Sequence, residues 1–328
     1  MALSSGGHSG AWQLNKLAVA VFFGCTVCSC TVGREEIEGS ARLRGTASLV
    51  QEVKAFGKSL GIEPTGALRQ TTDNASPLSM LWVWMQRVGT LALSGPVDIR
   101  MAIGFSTLKE RLKLEQVYRV DGYSVYYRQG NEFADSRSVM TLGFAEEDTV
   151  RRVKIILHED FHGDINFDLP WEIEEAIVTP LGSLAAVEFF KRIDDAVNLK
   201  RALTSLAEER QLSRELNELA KEAARLLTVD PLEEAKNKIL ALIPFYSNYS
   251  RQFRRQIAGQ NSSMALEAKL SHDLAYYRYF DTIAGLSERA PDLRTLIDDF
   301  KSLSRGATVE ALETYLRELN SKYRTAAK

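Results

Sequence analysis

The stretch Val150-Arg-Arg-Val-Lys-Ile-Ile-Leu-His-Glu-Asp-Phe-His162 decides how this chain is read. Val150, Val153, Ile156 and Leu157 recur at three- and four-residue intervals, the period of an amphipathic helix. Glu146, Glu147 and Asp148 precede them, and acids suit a helix start because the dipole is positive there. A helix is therefore expected from about residue 146. On it His158 and His162, four apart, share one face and can hold one Zn²⁺ between them. Glu159 follows the first His and is placed to polarise a water rather than to ligate. The whole chain holds only 4 His, so the pairing is not a by-product of a His-rich composition.

A catalytic zinc takes three protein ligands and leaves a fourth position open. Downstream, residues 163–169 contain no further His. The next segment, Trp171-Glu-Ile-Glu-Glu-Ala-Ile-Val-Thr179, opens just after Pro170, as helix starts allow. It offers Glu172, Glu174 and Glu175 as candidates for the third ligand. Cysteine cannot supply one, because Cys25, Cys28 and Cys30 all lie near the N-terminus.

His158-Glu159-x-x-His162 followed by Glu175-Ala176-Ile177 resembles the gluzincin zinc peptidases. The resemblance makes Glu175 the third ligand. Glu174 replaces an Asn of the family pattern, and Thr179 stands where an Asp often supports the first His. The wider layout looks like the predicted aminopeptidase lipoproteins of bacteria, with a leader, a mid-chain HExxH, a nearby Glu helix and a helical C-terminal half. Residues 261–280, from Asn261 through His272 and Tyr276 to Phe280, faintly resemble the C-terminal signature of that group. The resemblance implies peptide-bond hydrolysis of an aminopeptidase-like kind, a peptide substrate, and Glu159 as general base. A zinc peptidase gains from a donor that stabilises the oxyanion, and His272 or Tyr276 can fill that role. The other reading is an inactive or non-peptidase zinc-binding envelope protein with a structural role.

Upstream of the motif the pattern is mixed. Val97 to Phe105 alternates as a strand does. Val117–Val120 and Tyr123–Tyr127 flank Asp121-Gly122, a hairpin signal. Ser138–Leu142 reads as a further strand. Either 123–128 or 138–142 is expected to take the substrate backbone as an added strand. Leu49, Val53, Phe56 and Leu60 predict a helix that stops at Gly61.

At the N-terminus, Lys16, the apolar run Leu17–Gly24 and the clustered cysteines form a secretory pattern. The run is shorter than the roughly 20 apolar residues of a membrane span. Small residues before Cys25 and Cys30 predict a bacterial lipoprotein, exported to the cell envelope and anchored to the membrane by lipid on one of these cysteines.

Asp230-Pro231-Leu232-Glu233 predicts a helix with Asp230 as cap and Glu233 closing a capping box. Pro291 and Thr308 open two more, so residues 184–328 read as a bundle of about six helices. Tyr276, Tyr277 and Tyr279 read more readily as bundle packing, and the run 207–225 as a solvated face.

With Lys+Arg 41 against Asp+Glu 43, the basic surplus of a nucleic-acid binder is missing. The 8 Pro in 328 residues favour long helices. The expected class is α+β, mostly helical, in three parts. Residues 1–30 form the leader, 31–183 a zincin-like subdomain with a small sheet, and 184–328 a helical subdomain.

Overall fold

The computed structural model describes residues 34–326, apart from 72–79, 93–98, most of 105–120, 131–133, 135–137, 165–168 and 304. The leader, with Cys25 and Cys30, lies outside the described residues. Mostly helical α+β architecture is what the chain adopts. α1 (Arg34–Ser59) buries Val50, Val53 and Phe56 and ends before Gly61, whose φ of +86° is open to glycine at little cost. Three antiparallel strands follow, β1 (Met80–Arg87), β2 (Ile99–Gly104) and β3 (Tyr123–Gly130), in the order β2-β1-β3. Trp82 pairs with Arg128 and Trp84 with Tyr126, so these four side chains share one face of the sheet.

Two local expectations give way here. Asp121-Gly122 closes no hairpin: Val117 and Arg119 are helical, and the amides of Asp121 and Gly122 return to their carbonyls. Gly122, at φ +81°, ends a helical turn. A positive φ serves a helix stop as well as a hairpin turn, which is why the dipeptide misleads. Residues 138–142 form no strand either. Met140 makes a single parallel bridge to Thr71, and the Thr141 hydroxyl caps α2 (Leu142–Glu146) by accepting from Phe144 N.

The motif helix is α3 (Thr149–Gly163). It starts three residues later than expected because Asp148 caps it, its carboxylate accepting from Val150 N and Arg151 N. The helices that follow are α4 (Trp171–Arg192), α5 (Ala196–Val229), α6 (Leu232–Leu242), α7 (Ser247–Gln256), α8 (Ser262–Tyr277), α9 (Phe280–Ser287), α10 (Leu293–Lys301) and α11 (Val309–Ala326). None is long and apolar enough to cross a membrane.

The expected division at residue 183 falls inside α4, a continuous helix. The apolar core is also shared across it. One cluster joins α1, α3 and α4 to α9, α10 and α11, and another joins Trp84 and Tyr126 of the sheet to α5 through α8.

Polar details also shift. Asp230 does not cap α6; its carboxylate accepts from Lys238. Within the run 207–225, Glu215 is buried and accepts from Asn248 N at 2.8 Å and Tyr249 N at 2.9 Å, capping α7. A long helix laid across a bundle cannot keep every acid in water.

α3 is fixed in its roll by Asp160. This carboxylate, 0% exposed, pairs with Lys54 of α1 and accepts from Thr65 N and Oγ1, both at 2.9 Å. Burial pulls the Lys54 pKa down, against the opposing pull of Asp160. Lys54→Met should keep the packing volume and strand the carboxylate, at a cost of about 3–5 kcal/mol. Denaturant unfolding of the two proteins measures this. A loss under about 1 kcal/mol, the value of a surface pair, would mean that the pair does not hold the helix.

Candidate metal centre

α3 and α4 pack closely because α4 presents Gly182 to the motif helix. A Cβ there would lie 3.3 Å from His158 Cβ and 3.4 Å from its backbone. At this distance Glu175 reaches across to the histidines. His158 Nε2 and His162 Nε2 stand 3.1 Å apart. Glu175 Oε2 lies 3.4 Å from the first and 3.3 Å from the second. Among the described residues these three donors are close enough together to hold a metal ion.

The surrounding groups prepare the donors. His162 Nδ1–H donates to Glu174 Oε1 at 2.9 Å, which leaves Nε2 free to coordinate. Glu174, a rival for third ligand in the sequence, thus supports a ligand instead. Glu175 is 5% exposed. Its Oε1 accepts from Trp171 Nε1 at 2.9 Å and from the Tyr276 hydroxyl at 3.1 Å, leaving Oε2 for an ion. Burial alone would raise the Glu175 pKa, but His162 and His158 hold it well below the usual carboxylate range. Burial would lower His162, yet Glu175 and Glu174 hold it well above the ordinary imidazole value. Glu172 does not line the cavity, and the buried Thr179 hydroxyl makes no hydrogen bond among the described residues. The family-pattern support for His158 is therefore not supplied by Thr179.

Glu159, 8% exposed, lines the same cavity of about 1040 Å³ as the three donors, with Trp82, Trp84 and Trp171 on its walls. Trp171 and Gly182 were not singled out from the sequence. The signal for the first was an aromatic one helical turn before the ligand Glu.

His272 and Tyr276 reach this cavity but not the role expected of them. Tyr276 donates to Glu175 and so positions a ligand. His272 is buried at 2% exposure, between Trp84, Tyr126 and Tyr276 at ring distances of 4.4, 5.1 and 4.8 Å. Its Nδ1–H donates to Asp273 Oδ1 at 2.9 Å, and Asp273 is held low by Lys269 against the effect of burial. Burial brings His272 down to about 4. It is neutral near pH 7, with a bare Nε2 that finds no partner among the described residues. A bare nitrogen accepts and cannot donate to an oxyanion.

The expected substrate strand 123–128 already has a partner at Tyr127. On the outer edge of β3, Gln260 uses its amide as a strand would, donating to Tyr127 O at 3.0 Å and accepting from Tyr127 N at 2.9 Å.

Comparison with protein-family models, curated proteins and solved structures finds no match to this chain.

The low His272 pKa has a thermodynamic consequence. Between about pH 6.5 and 4 the unfolded chain binds a proton at this position that the folded chain refuses. The stabilisation is fully present above about pH 6.5 and falls as the pH drops towards 4, by about 3 kcal/mol in all. His272→Phe should flatten this part of the curve. Unfolding free energies of both proteins across pH 4–7 measure it, and parallel curves would show that His272 does not titrate as described.

Proposed function

We propose that this chain is an exported zinc-dependent peptidase, aminopeptidase-like, with His158, His162 and Glu175 as ligands and Glu159 as general base. The observation that carries the reading is the convergence of three donor atoms at separations of 3.1, 3.3 and 3.4 Å. Zinc bonds of about 2.0–2.1 Å in a tetrahedron set their ends about 3.3 Å apart. Two imidazoles and a carboxylate that line a cavity are also the donor set of hydrolytic rather than structural zinc. When bound, zinc supplies Lewis acidity that lowers the pKa of a water towards about 7 and polarises the substrate carbonyl.

The chain's own residues do the rest. Glu159 stands next to a ligand in sequence but outside the ligand set, so its value lies in proton transfer. Its carboxylate takes a proton from the attacking water and delivers it to the leaving amine nitrogen. Glu174 keeps the His162 proton on Nδ1, and Trp171 and Tyr276 hold Glu175 by its outer oxygen. The tryptophans on the cavity wall exclude water from the bound peptide.

Glu159→Gln keeps the side-chain shape and removes the base. Peptidase activity should fall by at least about a hundredfold, with zinc and fold retained. Glu175→Gln should instead weaken zinc binding itself. Elemental analysis and peptide-cleavage rates measure both. Wild-type protein that holds zinc and cleaves no peptide would favour a non-peptidase zinc protein, and a Glu159→Gln variant as active as wild type would overturn the mechanism.

The apolar run Leu17–Gly24 before Cys25, Cys28 and Cys30 supports export and lipid attachment in a bacterial envelope. Mass spectrometry of protein from the native host should find a chain beginning at Cys25 or Cys30. An intact Met1 would contradict it.

A further inference from the structure

The metal centre occupies only part of its cavity. Another wall comes from α7 and β3. Arg251, Gln252, Arg255 and Gln256 follow the spacing i, i+1, i+4, i+5, so they project from one side of α7. All four line the cavity, while Tyr249 and Phe253 of the same helix are buried in the core. Arg128 of β3 lines the cavity too, opposite Trp82 in the strand register.

The cations of α7 are less compensated than Lys154 and Arg201 of the same cavity. Lys154 pairs with Glu209, and Arg201 with Asp148. By contrast, Arg251 comes no closer than 3.7 Å to Glu208, with both groups largely exposed. For Arg255 no ion pair is found among the described residues. The amides beside them are also unmet. Gln252 is 9% exposed, and among the described residues its Nε2 finds no acceptor and Gln256 Oε1 no donor. A buried amide without a partner is costly, and such groups are satisfied by water or a ligand.

We propose that Arg128, Arg251, Arg255 and Gln252 form a subsite for a carboxylate of the substrate. This deepens the peptidase reading and rests on it: the substrates are short peptides that carry a carboxylate within reach of the metal centre. The guanidinium groups bind that carboxylate, Gln252 donates to it, and Gln256 Oε1 accepts an N–H of the adjoining residue. The cavity volume is that of a site for a small ligand, not for a folded protein. A carboxylate there can belong to the peptide's C-terminus or to an Asp or Glu side chain, and both offer the same chemistry.

The test uses the zinc-loaded full chain with Glu159→Gln, which binds without turning over, and isothermal calorimetry. One pair of probes is Ala-Ala-Ala with a free C-terminus and the same peptide amidated. The second pair is Ala-Glu-Ala amide and Ala-Gln-Ala amide. At least one carboxylate peptide should bind about tenfold more tightly than its neutral counterpart. The first pair reports a C-terminal carboxylate and the second a side chain. Adding Arg255→Ala with Arg128→Met should shrink that advantage to within about twofold, at unchanged zinc content and melting temperature. Arg255→Lys, which keeps the charge and loses the fork, should retain part of it.

No advantage in either pair, or an advantage that survives the double substitution, overturns the subsite. Failure of the peptidase reading looks different: the carboxylate peptides bind in an arginine-dependent way, yet wild-type protein does not cleave them.

Discussion

A carboxylate in the middle of the motif helix sets the geometry of everything around it. Asp160 lies two residues after His158 and two before His162, so it points away from both. Its Oδ1 is held in the core by Lys54 and Thr65, while Oδ2 is buried with no hydrogen-bond partner among the described residues. A buried carboxylate tolerates few orientations, because loss of its partners leaves a charge unsolvated. α3 can therefore roll very little. With that roll fixed, the two imidazoles face α4 and the cavity.

The same economy appears one layer out. Gly182 lets α4 approach within contact of His158, and Gly163 closes the motif helix where a Cβ would lie 1.7 Å from Thr65 Cγ2. Thr65 is one of the groups that hold Asp160. The anchor of the helix and its close packing at the C-terminal end are thus one arrangement. Around the donors, Glu174 settles the His162 tautomer, and Trp171 and Tyr276 together settle which Glu175 oxygen faces the histidines. Loss of such a supporting hydrogen bond typically costs about 10–100-fold in metal affinity or activity.

The buried chemistry of α8 shows how context overrides residue type. His272, Asp273 and Lys269 look like catalytic material on paper. In the fold, Lys269 and Asp273 are completely buried and paired, and Asp273 also accepts from Tyr249 at 2.9 Å. His272 is left neutral and accepting. Cations do face the cavity from other elements, among them Arg251 and Arg255 of α7 and Arg128 of β3.

The sequence by itself determined the pair of imidazoles that can share a metal ion and the acid proposed as base beside them. Helical periodicity is a local property, and four-residue spacing on a helix leaves the two imidazoles no other relation. Mostly helical architecture, the stop at Gly61, and the helices after Pro291 and Thr308 were legible for the same reason. Glu175 was legible through resemblance, while spacing alone left three acids open. Only the tertiary structure decided among them. It put Glu174 on His162 Nδ1, turned Glu172 away, and brought Tyr276 from 101 positions along the chain onto Glu175. It also turned the Asp-Gly hairpin into a helix stop and gave the Tyr127 amide and carbonyl on β3 to Gln260. Each of these outcomes depends on which group from a distant segment satisfies a polar atom. Local sequence states a group's need for a partner and not which partner the fold supplies.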